Sequence, residues 1–136
     1  MEVKRLIHLF LCGLSVAFLS DSAICATTAF DVNHIRDVYV ADFNSEDIEH
    51  CRPSDVDLSN SQARDFFRRA RQVDSKILHD FYNYAPCYIE GVLKYKSQSC
   101  DWQIRAGATG QIKCGNSIWY FACDNCQDLF ESQESK

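Results

Sequence analysis

From Ser59 to Val73 apolar residues recur every three or four positions, at Ala63, Phe66, Phe67, Ala70 and Val73. That period marks one face of an α-helix. Ser59-Asn60-Ser61-Gln62 ahead of it has the form of a capping box, with Ser59 at the N-cap and Gln62 at N3. Asp74 then predicts the cap of a second short helix carrying Ile77, Leu78 and Phe81, and Pro86 ends that segment. From Cys87 the period becomes two. Ile89, Gly91, Leu93 and Tyr95 share one face of a strand over 87–96, and Ser97-Gln98-Ser99 turns the chain. Cys100, Trp102, Ile104 and Ala106 alternate with Asp101, Gln103 and Arg105, as in a half-buried strand. A turn at 107–110, a short strand over 111–114, a tight turn at Gly115-Asn116 and a last strand over 117–123 complete the pattern.

The expected fold class is therefore α+β: two short helices packed on a four-stranded antiparallel meander, stabilised by disulfides. Residues 59–85 form the helical part, 87–123 the meander and 127–136 a tail. Residues 26–58 read as an irregular N-terminal segment, with one short strand over Val38–Phe43.

The N-terminus follows a different pattern. Lys4 and Arg5 precede an apolar run from Leu6 to Leu19, and small residues follow from Ser20 to Thr28. That order predicts a cleavable signal peptide over 1–25, cut before Ala26. The run is too short for the roughly 20 residues of a membrane helix, so no membrane span is expected after cleavage. The expected localisation is the periplasm, with 26–136 as a single mature domain.

Eight cysteines occur in the 136 residues, and Cys12 and Cys25 leave with the signal peptide. Cys51, Cys87, Cys100, Cys114, Cys123 and Cys126 remain, an even set that reads as a disulfide framework in an exported domain. If the second hairpin turn centres on Gly107, Cys100 and Cys114 lie opposite each other and form one bridge. Cys51 then pairs with Cys87, Cys123 or Cys126, and the two left over pair together.

Cys123-Asp124-Asn125-Cys126 has the spacing of a redox dithiol. It follows the last strand between acidic residues that raise a thiol pKa, so a structural disulfide is the preferred reading over a thiol oxidoreductase. A zinc site would want a second close ligand pair, and the nearest histidine in sequence is His79. His34, His50 and His79 have no Ser or Cys at a spacing that marks a nucleophile. Glu46, Asp47 and Glu49 lack the alternating spacing and central glycine of a calcium loop and read as a solvated acidic loop. No catalytic residue, metal site or cofactor is assigned. Two features are candidates for partner contact: a stripe of Arg64, Arg68 and Arg71 beside the apolar helix face, which otherwise reads as a solvent-facing flank, and the aromatic strand residues Trp119 and Phe121, of which the side away from the helices is either open or covered by segment 26–58.

The signal region nets to zero charge, so the mature chain keeps the whole formal charge of −5. An acidic domain of this kind is a poor match to nucleic acid or anionic lipid and suits a basic protein partner.

Four stretches carry a resemblance. Asp57-Leu58-Ser59 precedes the Phe66-Phe67 helix, and Pro86-Cys87-Tyr88 opens a strand. Arg105-Ala106-Gly107-Ala108-Thr109-Gly110 follows Trp102, and Tyr120-Phe121-Ala122-Cys123 lies near the end. Over Asp57–Leu129 the chain resembles small, signal-peptide-bearing bacterial periplasmic proteins of unknown function, whose size, compartment and acidity are similar to those of toxin-immunity proteins. The resemblance implies a periplasmic binding or inhibitor protein that neutralises a basic toxin or enzyme by direct contact. The alternative is a non-catalytic structural or assembly factor of the cell envelope. An enzyme, in the form of an oxidoreductase using Cys123 and Cys126, ranks third.

Overall fold

The structure is a computed structural model and describes residues 28–131. The signal-peptide segment 1–25 and the end of the tail, 132–136, lie outside the described residues. The fold is α+β. One fully antiparallel six-stranded sheet is formed by β1 (Ile35–Ser45), β2 (Arg71–Val73), β3 (Cys87–Tyr95), β4 (Gln98–Arg105), β5 (Thr109–Cys114) and β6 (Ser117–Ala122), in the order β1-β3-β4-β5-β6-β2. The helices are α1 (Asn60–Arg69), α2 (Ser75–Phe81) and α3 (Gln127–Phe130).

The meander β3-β4-β5-β6 lies at the centre, and each edge gains a strand from the segment before it. The segment before α1 holds more than the short strand expected over Val38–Phe43: that strand is the middle of the 11-residue β1, which pairs with β3 from Ile35↔Tyr95 to Ser45↔Cys87. The register shifts between Arg36 and Tyr39, where Asp37 takes a φ of 50°. Such a bulge adds a residue and breaks the alternation of apolar positions. A local reading therefore catches only the middle of β1, Val38–Phe43, and misses its full length. Val73 is not on the first helix. Ala70 caps α1 in an extended conformation, and Arg71–Val73 become the opposite edge strand, paired with Tyr120–Ala122. The tail begins with α3, whose Leu129 is buried.

Local chemistry explains the joints. The Ser59 hydroxyl accepts from Gln62 N while Gln62 Oε1 accepts from Ser59 N, so the capping box is closed. Asp74 accepts from Ile77 N at the start of α2. The first hairpin turns at Lys96-Ser97, not at Ser97–Ser99. Both residues take positive φ, 48° and 67°, as a two-residue type I′ turn requires.

Most core side chains collect on one face of the sheet, beneath α1. Cys87, Ile89, Leu93, Cys100, Trp102, Ile104, Ile112, Cys114 and Phe121 point to it. The Phe67 ring meets Phe66, Trp102 and Phe121 edge-on, with centroids 5.3–5.9 Å apart. Phe30 closes the far side, stacked on Tyr95 at 4.1 Å and set against Trp119 and Phe121. Among the described residues three disulfides join the frame: Cys51–Cys87, Cys100–Cys114 and Cys123–Cys126. No helix among the described residues is long and apolar enough to cross a membrane.

Candidate functional site

Alternation sends Gln103, Arg105, Thr109, Gln111 and Tyr120 to the face opposite the core. The ladder aligns them in two rows across three strands. Gln103 pairs with Gln111, which pairs with Tyr120; Arg105 pairs with Thr109, which pairs with Ala122. Helix α2 and the segment 82–84 rise over these rows and leave a cleft of about 590 Å³. Ser75, Leu78, His79, Tyr82, Asn83 and Tyr84 form its upper wall. The volume lies within the roughly 300–1,000 Å³ usual for small-ligand sites.

The wall is held at three points. At its middle, the Tyr82 hydroxyl donates to Asp124 Oδ1 at 2.5 Å and accepts from Arg71 Nη2 at 2.8 Å. The hydrogen bond from Tyr82 and the neighbouring Arg71 hold the Asp124 carboxyl below its ordinary pKa, and the carboxylate in turn raises the Tyr82 phenol. Next, the Asn83 carbonyl comes so near Gly107 that a Cβ there would sit 2.6 Å from its oxygen, which explains a glycine in this turn. At the end, Arg105 donates to Ala85 O at 3.0 Å and to Glu46 Oε1 at 2.8 Å. Its guanidinium lies against the Tyr84 and Tyr88 rings, 4.7 and 4.9 Å from their centroids.

Arg105 also supports a second feature, the loop 46–50. Glu46 N donates to Pro86 O, Asp47 N to Ser45 Oγ and Glu49 N to Asp47 Oδ1. His50 Nδ1 lies 2.8 Å from Asp47 Oδ2, a contact that lowers the Asp47 pKa. The Cys51–Cys87 bridge anchors the loop to β3. Ile48 stands at its tip, 83% exposed. Segment 42–57 holds six carboxylates against Arg52 alone, so its formal charge of −5 equals that of the whole chain.

The residues singled out from the sequence are dispersed. Phe121 is 1% exposed and lies in the core rather than at a contact surface. Trp119 packs with Phe30 and Tyr95 and donates to Thr28 O, so the N-terminal segment covers it. Arg64 and Arg68 are exposed on α1, but Arg71 sits on β2 with Asp124, so the three do not form one helical stripe. Cys123 and Cys126 are buried and bonded to each other, with Arg69 ion-paired to Asp128 beside them. Among the described residues no group of three or more His, Cys, Asp or Glu is placed to hold a metal ion. Local pattern does not reveal the cleft, because its parts come from 75–84 and 103–120 and only strand register brings them together. The one sequence signal was the polar alternation of Gln103, Arg105 and Gln111.

No family model, curated protein or solved structure matches this chain.

Proposed function

We propose that the mature chain is an exported periplasmic binding protein of the immunity type, which neutralises a basic partner protein by direct contact. The observation that carries this reading is the loop 46–50, where an exposed Ile48 is ringed by carboxylates on a segment tied to the sheet by Cys51–Cys87 and Arg105. An exposed apolar tip gains free energy when a partner pocket covers it. A rigid loop loses little conformational entropy on binding. The surrounding negative charge steers a basic surface toward it and speeds encounter.

The test has two arms. Deleting the gene while its genomic neighbour stays intact should impair growth, and normal growth of that strain would overturn the immunity reading. Purified mature protein should bind the neighbour's product, with an association rate that falls as salt rises. Ile48→Asp should weaken that complex at least tenfold while leaving the thermal midpoint of the free protein unchanged. Unchanged affinity in this variant would remove the loop from the contact.

A further inference from the structure

We propose that the cleft between α2 and the outer sheet face is a second binding site, built for a neutral saccharide. This goes beyond the partner-contact reading and does not rest on it.

Three properties of the cleft argue for that class. The first is uncommitted hydrogen-bonding capacity. Among the described residues, the side chains of Ser75, Asn83, Gln103, Thr109, Gln111 and Tyr120 make no hydrogen bond to protein, although all line the cleft. Thr109 is 7% exposed, yet among the described residues no buried side-chain polar atom lacks a partner, so its hydroxyl opens into the cleft. Amides and hydroxyls in a row match a ligand with many alternating donors and acceptors.

The second is charge. Arg105 is neutralised by Glu46, and among the described residues no carboxylate lines the cleft. His79 at the rim is largely exposed and contacts Asp80. A phosphate or carboxylate ligand would find no unpaired cation at the floor, and a cationic ligand no carboxylate. Burying either charge unpaired is costly.

The third is the combination of rings with a closed backbone. Tyr82, Tyr84 and Tyr120 give the cleft aromatic walls, and Tyr84 is 68% exposed at its mouth. The apolar C–H faces of a sugar ring cover such rings while its hydroxyls reach the amides, so one ligand satisfies both wall types. A peptide is a poorer match. The floor is the face of the sheet, and the main-chain groups of β4, β5 and β6 are spent in their own ladder. An extended peptide would gain no strand pairing there.

The experiment is an amide chemical-shift titration of the mature, oxidised protein with cellotriose, maltotriose and the N-acetylglucosamine trimer in turn, with trialanine as the peptide control. Saturable shifts confined to 75–84, 103–111 and 120 are expected with at least one trisaccharide, with dissociation constants in the millimolar range or tighter. Gln111→Ala should weaken the effect at least tenfold, and Gln98→Ala, remote from the cleft, should not. If no trisaccharide moves these amides at tens of millimolar, the proposal fails. It fails equally if trialanine moves them as strongly. Should Gln111→Ala disturb the fold, seen as shifts on the core face, Tyr84→Ala at the exposed mouth serves in its place with the same expectation.

Discussion

The hydroxyl of Tyr82 donates to Asp124 Oδ1 at 2.5 Å and so fastens the end of α2 to the four-residue loop that Cys123–Cys126 closes. The two residues are 42 apart in sequence. None of the residues of α2 is buried, so this bond, the Asp74 cap and the contacts of the following segment hold the wall of the cleft in place.

The Tyr82–Asp124 anchor has a defined pH dependence. Asp124 is held below its ordinary value of 3.8, by its bond to Tyr82 first and Arg71 next. A carboxylate whose folded pKa is depressed contributes stability above its unfolded pKa and loses it as pH falls through the folded value. The α2 wall should therefore loosen only below pH 3.8. Hydrogen exchange of the 77–82 amides, followed from pH 6 downward and corrected for intrinsic rate, should rise in that window. In Asp124→Asn the rise is expected to be absent and protection low throughout.

Gly91 is a point where the sheet tolerates no side chain. A Cβ there would lie 1.9 Å from the Tyr39 carbonyl and 2.7 Å from the Trp102 ring. Both neighbours are fixed, one by the β1–β3 ladder and the other by the core. Gly91→Ala should destabilise by about 3 kcal/mol or more, as overpacking against unyielding atoms does. Urea unfolding should show a lower midpoint, and pairing of β1 should be the first to be lost in exchange measurements.

The Phe67 ring touches three aromatic rings from α1, β4 and β6. Phe67→Ala opens a cavity at the centre of that contact and should cost about 3–5 kcal/mol. Denaturant midpoints at constant slope would register the loss.

The disulfides should rank by the chain they close. Their sequence separations are 36 for Cys51–Cys87, 14 for Cys100–Cys114 and 3 for Cys123–Cys126. Loop-closure entropy then gives about 4, about 3 and about 2 kcal/mol respectively on replacing each pair by alanine. Mass mapping of non-reduced peptides checks the pairing itself, and equilibrium unfolding of the three double variants checks the order.

Much of the framework is legible in local pattern. The Ser59–Gln62 capping box, the Phe66-Phe67 face and the alternation of 100–106 each concern residues within a few positions of one another. The chemistry of caps, helical period and pleat acts at that range. The Cys100–Cys114 pairing follows from the same logic, since a hairpin turn at Gly107 fixes which residues oppose each other.

Local causes alone account for α1, α2 and the four strands of the meander, with one face apolar and the other polar. The rest arises from long-range packing. It recruited β1 across a bulge at Asp37, turned Arg71–Val73 into an edge strand for β6, buried Phe121 and covered Trp119. It chose Cys87 as the partner of Cys51 and left Cys123 to Cys126. It assembled the cleft from residues up to 45 positions apart, Ser75 and Tyr120 among them. The physical reason is the same in each case. Edge pairing, burial and long-range bridges depend on which segments meet after collapse, and no local period encodes that meeting.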